Sequence, residues 1–78
     1  MNEFPKEYFY QIKNNGDLEV SVVVGYDEFK FSYWVECNLL IKSSRKIFKG
    51  LGKKFNLQDE DYALSEGLRI YRNFLAAE

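Results

Sequence analysis

The feature that most constrains this fold is a change of hydrophobic period near the middle of the chain. Between residues 8 and 37, apolar and polar side chains alternate with a period of two, which is typical of half-buried β-strands. Between residues 39 and 76, apolar residues recur near every 3.6 positions, which is typical of amphipathic helices. The sequence therefore predicts strands followed by helices, in one α+β domain.

Three segments rich in β-branched and aromatic residues are predicted to be strands. They cover residues 8–13, 18–24 and 29–37, and turn signals separate them at 14–16 and 25–28. A one-residue slip in register would move every side chain of a strand to the other face of the sheet. The predicted loop lengths are therefore the ones that keep one face apolar. The result is an antiparallel meander with the valine strand in the middle and its even positions turned toward the helices.

The loops fix the expected register. A three-residue first loop, with Gly16 left-handed, sets Ile12 opposite Leu18 and Tyr10 opposite Val20. A four-residue second loop sets Val24 opposite Phe29, Val22 opposite Phe31 and Val20 opposite Tyr33.

Two helices are predicted in the second half. The first runs from Leu39 or Ser43 to Phe55, and residues 38–41 are open to a second interpretation, as an extension of the third strand. Two glycines inside this helix, at positions 50 and 52, each weaken it by roughly 1 kcal/mol relative to Ala. The second helix runs from Asp59 to Ala76, and Gly67 on its apolar side predicts a close approach to the sheet or to the first helix.

The expected fold is therefore a three-stranded antiparallel β-meander packed on one face by two C-terminal α-helices, in the order β-β-β-α-α. It forms a single domain over residues 1–78, in which residues 1–7 are a loose N-terminal arm that contains the only proline.

A cationic stripe is the first candidate binding surface. On the predicted first helix, five cations span about 100° of arc, opposite an apolar face; they are Lys42, Arg45, Lys46, Lys49 and Lys53. Residues 42–58 carry six cations and no acid, whereas the whole chain has a net charge of −1. A solvated helix face and a docking surface for phosphates or an acidic protein are both compatible with this pattern.

The outer face of the sheet is the second candidate. If the even positions of the valine strand face the helices, Phe9, Val23 and Trp34 face away from them. An exposed Trp beside a Phe is typical of an anchor for a protein interface. The alternative is that the N-terminal arm or a second subunit covers these three residues.

The residue types argue against catalysis and against a bound metal. The chain has no histidine and a single cysteine, so the usual general base and the usual zinc ligands are missing. By strand parity Cys37 faces the apolar side and is expected to be buried and inert. The acidic run 59–61 is best interpreted as helix N-terminal charge. We therefore expect no enzymatic activity, no cofactor and no metal.

Composition also suggests a compartment. The sequence contains no run of about 18–20 apolar residues and no signal-peptide pattern. A lone cysteine fits a reducing environment. A cytoplasmic location without membrane association is the expectation.

One stretch has a family resemblance. Residues 46–57, KIFKGLGKKFNL, followed by 63–71, ALSEGLRIY, resemble the two helices of ribbon-helix-helix DNA-binding proteins. The resemblance would imply DNA binding through a strand paired across a dimer. Two departures stand against it: the spacing from the turn to Gly67 is one residue too long, and the candidate strand presents Glu36, a carboxylate that would face phosphate. No family is assigned on this basis.

Two functions follow as hypotheses. The first is a small non-enzymatic protein-binding module, such as an inhibitor, adaptor or regulator, which docks through the aromatic sheet face or the cationic helix face. Chains of this kind are common among phage and mobile-element proteins, which is an association only. The alternative is a nucleic-acid-binding regulator that places the cationic stripe on phosphates. A homodimer through an edge strand or the outer sheet face is a further expectation.

Overall fold

A computed structural model describes residues 3–77 as an antiparallel sheet of four strands with one helix packed on one face. The elements are β1 (Lys6–Ile12), β2 (Asn15–Asp27), β3 (Ser32–Ile41), β4 (Lys46–Leu57) and α1 (Glu60–Ala77). The strands lie in the spatial order β1-β2-β3-β4. The α+β class and the antiparallel sheet agree with the prediction, but three strands with two helices is wrong.

The core lies between the sheet and α1. Val20, Val22 and Val24 are fully buried on the face that α1 covers, which confirms the predicted direction of the even positions of β2. Val35 and Cys37 on β3 lie in the same layer. Burial raises the pKa of the Cys37 thiol to about 11, so the thiol is neutral at physiological pH, as its predicted inert role requires.

The last predicted helix is confirmed within one residue at each end. Its first turn is capped by Asp59, whose Oδ1 accepts a hydrogen bond of 2.7 Å from the backbone N–H of Tyr62. Gly67 makes the predicted close approach to the sheet. A Cβ placed at this glycine would lie 2.5 Å from Val22 Cγ1 and 2.7 Å from Val35 Cγ2.

The first hairpin keeps its predicted register over most of its length. Tyr10 lies opposite Val20, as predicted. Near the turn the register shifts, so Ile12 lies opposite Asn15 rather than Leu18. The irregularity lets β2 begin three residues earlier than the pattern indicated, because Asn15 already pairs with Ile12 of β1.

The left-handed residues of the turns are not glycines. Among residues 3–77, the positive φ angles of non-glycine residues are 67° at Asn14, 51° at Phe31, 59° at Arg45 and 60° at Asn56, and no glycine has one. The predicted left-handed Gly16 is therefore wrong. Asn14 takes this conformation instead, because Asn tolerates it better than most residues. The pair that closes the first turn is therefore Ile12 with Asn15.

The second hairpin has a different register from the predicted one. Val24 lies opposite Val35, not Phe29, because β2 continues through Asp27 before the chain turns. The Asp27 carboxylate then organises the turn. Its Oδ1 accepts hydrogen bonds from the backbone N–H groups of Phe29, at 2.9 Å, and Lys30, at 3.3 Å. The predicted pairings of Phe31 and of the neighbouring positions fail for the same reason.

The largest correction concerns residues 46–57, which form β4 and not a helix. Residues 38–41 extend β3, so β3 has a long edge for β4 to pair with. The β3–β4 ladder shifts register three times. Two of these shifts leave Phe48 and Leu51 without an opposite residue, and the third sets two residues of β4 opposite Trp34. Gly50 and Gly52 flank one of these shifts, and a glycine inside a strand often marks a bulge.

The predicted N-terminal arm is corrected in part. Residues 1 and 2 lie outside the described residues. Lys6 and Glu7 belong to β1, opposite Val24 and Val23. The Phe4 ring packs against an aromatic cluster, with its centroid 5.5 Å from that of Tyr33. Residues 6 and 7 are therefore part of the sheet, because β2 is long enough to pair with them.

Candidate functional site

The sheet face opposite α1, which we call the helix-free face, carries the predicted aromatic surface. Its side chains come from odd positions of β1 and β2 and from even positions of β3, since successive side chains of a strand point to opposite faces. Phe9 lies opposite Ser21, and Val23 lies opposite Glu36. Phe9, Val23 and Trp34 are therefore diagonal neighbours across three strands, a relation that typically spaces residues about 7–8 Å apart.

The exposure of these three residues is intermediate to high. Phe9 is 41% exposed, and Val23 and Trp34 are half-buried. No helix covers this side of the sheet within residues 3–77, because the one helix packs on the valine side. The sequence analysis thus placed these three residues on the correct face and on one continuous surface.

Trp34 owes its position to a glycine on the neighbouring strand. Gly25 lies directly opposite Trp34 in the β2–β3 ladder. A Cβ at Gly25 would lie 2.0 Å from the indole Cε2 and Cζ2 atoms. The indole therefore rests on the backbone of β2, and it remains half-buried.

Phe9 is stacked under a guanidinium. The Cζ atom of Arg45 lies 4.4 Å from the centroid of the Phe9 ring, which is cation–π distance. Arg45 Nε also lies 3.2 Å from Glu19 Oε1. This oxygen is buried and has no hydrogen-bond partner, so the contact is an ion pair without hydrogen-bond geometry. Arg45 thereby joins the β3–β4 turn to β1 and β2 across the helix-free face.

The remaining carboxylates of this face are held by hydrogen bonds rather than arranged for catalysis. Glu7 Oε2 accepts a 2.6 Å hydrogen bond from Ser21 Oγ. Glu36 Oε2 accepts one of 2.9 Å from Asn38 Nδ2, and its Oε1 lies 3.6 Å from Lys53 Nζ. Each acid therefore has a neutral or cationic partner on a neighbouring position.

The five predicted cations do not form one stripe. They lie on the β3–β4 turn and on β4, and their contacts point in different directions. Lys42 Nζ donates a 2.9 Å hydrogen bond to Gln11 Oε1 on β1. Lys49 Nζ lies 5.2 Å from the centroid of the Phe74 ring of α1, whereas Lys53 pairs with Glu36 on the opposite side of the sheet. Lys46 is exposed at the start of β4. The cationic helix face is therefore wrong, because the segment is extended.

One more cation of the segment links the sheet to the helix. Lys54 Nζ lies 2.6 Å from Glu66 Oε1, and Arg69 NH1 lies 3.5 Å from Glu66 Oε2. The hydrogen bond from Lys54 is the main reason that the pKa of Glu66 lies below its ordinary value of 4.5. Lys6 makes a similar link from β1, with its Nζ 2.8 Å from Glu60 Oε2, and this bond raises the pKa of Lys6.

The sequence analysis missed the most exposed aromatic residues. Phe29 is 96% exposed and Phe31 is 81% exposed, both in the turn between β2 and β3. They had been assigned to a strand. Asp27 was the available signal, since Asp favours the first position of a turn by bonding to backbone N–H groups beyond it.

An apolar cleft opens beside the last turns of α1. It has a volume of about 260 Å³, and its lining is apolar apart from one amide and one phenol. The lining residues are Ile12, Asn15, Leu18, Leu39, Phe48, Tyr71, Phe74 and Leu75. Its lining residues include no acidic, basic or cysteine side chain.

Within residues 3–77, no cluster of three or more acidic or cysteine side chains could hold a metal ion. The only helix of that range, α1, lacks the length and apolar character that a membrane crossing would require. Comparison of the chain with protein-family models, curated proteins and solved structures finds no match.

Proposed function

We propose that this chain is a small, non-enzymatic protein-binding module that docks through the helix-free face. The observation that carries the proposal is the diagonal of Phe9, Val23 and Trp34, which α1 leaves uncovered. Aromatic residues and arginine are enriched at the centres of protein interfaces, and this face combines both. An inhibitor, adaptor or regulator is the kind of protein that such a surface serves.

The charges around the diagonal support a specific partner. Glu7, Glu19 and Glu36 are interleaved with Arg45 and Lys53, and most of their carboxylate oxygens are already engaged. Groups that are fixed before binding lose less conformational entropy when a partner arrives. The helix-free face is therefore preorganised, with an apolar centre and a charged surround.

The β2–β3 turn is a second candidate contact. It follows the end of β2, beyond the Gly25–Trp34 pair, and it exposes Phe29 and Phe31 almost completely. Burying a Phe side chain contributes roughly 1.5–3 kcal/mol, which is available only when a partner covers it. A partner that reaches past Trp34 to this turn would gain two further anchors.

The nucleic-acid alternative is less well supported. Its basis was a helical stripe of five cations, whereas the segment is extended and two of the five, Arg45 and Lys53, are paired with acids of the same chain. Paired cations release fewer counterions on binding phosphate. A cytoplasmic location, proposed from the lone cysteine, is compatible with the protein-binding function.

The test is affinity capture with two variants, one on the helix-free face and one on α1. Phe9→Ser combined with Val23→Thr removes the centre of the helix-free face. Tyr62→Ser, at a residue that is 49% exposed on α1, is the matched control. We expect a protein that binds the wild type and the control to lose at least tenfold in affinity for the double variant.

Circular dichroism must first show that both variants fold. Equal binding by the double variant and the wild type would place the docking surface elsewhere. Loss of the same partner by Tyr62→Ser alone would transfer it to the helix.

A further inference from the structure

The two edges of the sheet differ in how well they resist pairing with another chain. The edge strand β4 carries four lysines, at positions 46, 49, 53 and 54, and shifts register three times against β3. Lysines and bulges on an edge strand are features that block edge-to-edge association. Lys49 and Lys54 also contact α1, so the protection of the β4 edge rests on Lys46, Lys53 and the register shifts.

The opposite edge has almost none of this protection. β1 pairs with β2 without interruption from Lys6 to Gln11, and its one register shift lies at the last residue. Its single lysine is drawn toward α1, because Lys6 Nζ lies 2.8 Å from Glu60 Oε2. The central residue, Phe9, is 41% exposed. A regular edge with an exposed aromatic at its centre is a template for strand addition.

We propose that two copies of this chain form a two-fold dimer by antiparallel pairing of β1 with β1. A two-fold axis perpendicular to the sheet must lie midway between one residue of β1 and the same residue of the second copy. When that residue is Phe9, all seven residues of β1 are paired. This register places Glu7 opposite Gln11 of the second copy and Tyr8 opposite Tyr10. Lys6 falls opposite Ile12.

Charge selects a second copy, and this edge, over the alternatives. In the Phe9-centred register no like charges lie directly opposite each other. Like charges in that position destabilise a sheet, whereas aromatic pairs stabilise it. Pairing β4 with itself would bring together eight lysines, four from each copy. Charge repulsion therefore disfavours pairing of β4 with β4 and does not oppose pairing of β1 with β1.

The dimer would be one continuous eight-stranded sheet with both helices on the same side. The two helix-free faces would join, with both Phe9 rings at the axis, each under its own Arg45. The inference shares Phe9 with the proposed docking function but does not depend on it, because strand pairing requires the regular backbone edge of β1 and not Val23 or Trp34.

A charge pair at position 11 tests the proposal. In the dimer, Gln11→Glu places a carboxylate opposite Glu7 of the second copy, once at each end of the paired strands. Gln11→Lys places an ammonium group opposite the same Glu7. The symmetry doubles each effect, so sedimentation velocity should show dissociation constants that change in opposite directions, each by on the order of tenfold. The wild type should lie between them.

Effects on folding are measured separately. Gln11 Oε1 accepts a hydrogen bond from Lys42 Nζ in the same chain, and Gln11 lies opposite Glu19 of β2. Each substitution therefore makes one favourable and one unfavourable charge contact within the monomer. Urea unfolding of each variant measures the balance, and the dimer dissociation constants are compared only between variants that are fully folded.

Hydrogen exchange provides the second measurement. Backbone amides of β1 that point away from β2 should become protected as protein concentration rises, and the outward amides of β4 should not. A wild-type chain that stays monomeric at millimolar concentration overturns the proposal. Equal dissociation constants for the two Gln11 variants, or concentration-dependent protection on β4, also overturn it.

Discussion

At the scale of single residues, two glycines act as contact surfaces rather than as flexible points. Gly67 lets α1 approach Val22 and Val35, and Gly25 lets the indole of Trp34 rest on β2. The first contact was expected, because a glycine on the apolar side of a helix has few other uses. The second was not, because it depends on the β2–β3 register, which the turn at Asp27 decides.

Gly67→Ala should destabilise the protein. Alanine is the better helix former by about 1 kcal/mol, but its Cβ would lie 2.5 Å from a buried valine methyl. Overpacking of this kind typically costs about 1–3 kcal/mol. We expect a net loss of up to about 2 kcal/mol in the free energy of unfolding, measured by urea titration.

Gly16→Ala is the matched control, because no heavy atom lies within 4 Å of a Cβ at that position. Its effect should stay within about 0.5 kcal/mol. A Gly67→Ala variant as stable as the control would mean that α1 does not press on the sheet at this point.

At the scale of elements, β4 shows how a strand can carry a helical pattern. The residues that the bulges leave unpaired are Phe48 and Leu51, and the next irregularity lies at Phe55 and Asn56. These positions recur every three to four residues, which is the spacing of one face of a helix. Each bulge also changes which face the following residues occupy, so the period of two disappears. The helix-like spacing of apolar residues in this segment therefore reflects the spacing of the β-bulges and not a helix.

The link between β4 and α1 makes stability depend on acid. The hydrogen bond from Lys54 holds the pKa of Glu66 below 4.5 in the folded chain. Its stabilising contribution is therefore fully present above that pH. It is lost as the pH falls through the lower, folded-state pKa, because the unfolded chain takes up the proton first.

Glu66→Gln should remove this part of the acid dependence. Urea midpoints of the variant and the wild type, compared between about pH 6 and pH 3, should change their separation mainly below about pH 4.5. Glu28→Gln is the control, since Glu28 is exposed in the β2–β3 turn. An acid response of Glu66→Gln identical to that of the wild type would show that the Lys54 contact does not form in solution.

At the scale of the whole molecule, charge that is separated in sequence is brought together in space. The segment 42–58 carries six cations, and the structure pairs three of them with acids from β2, β3 and α1. A basic segment therefore becomes part of a mixed surface. A charge run in the sequence therefore does not by itself predict a cationic surface of the folded chain.

Removal of α1 should abolish folding. The helix is the only cover within residues 3–77 for the valine face of the sheet, and it contributes buried or half-buried side chains at Ala63, Leu64, Leu68, Ile70, Tyr71 and Phe74. At roughly 1.5–3 kcal/mol for each large side chain, this burial is comparable to the 5–15 kcal/mol that stabilises a typical domain.

A chain ending at residue 58 should accordingly show no cooperative unfolding transition by circular dichroism. A chain ending at residue 75 is the control, because Ala76 and Ala77 are exposed. A cooperative transition in the shorter chain would show that the four strands form a stable unit by themselves.

The sequence alone determined the features that depend on neighbouring residues. Alternation identified the buried valines and the uncovered Phe9, Val23 and Trp34, and the acidic start with its apolar stripe identified the last helix. What the tertiary structure decided was the fate of residues 46–57 and the β2–β3 register. Both depend on distant partners: β4 is extended because β3 offers an edge to pair with, and its bulges conceal the period of two. Local pattern cannot report a hydrogen-bond partner that is supplied by another strand.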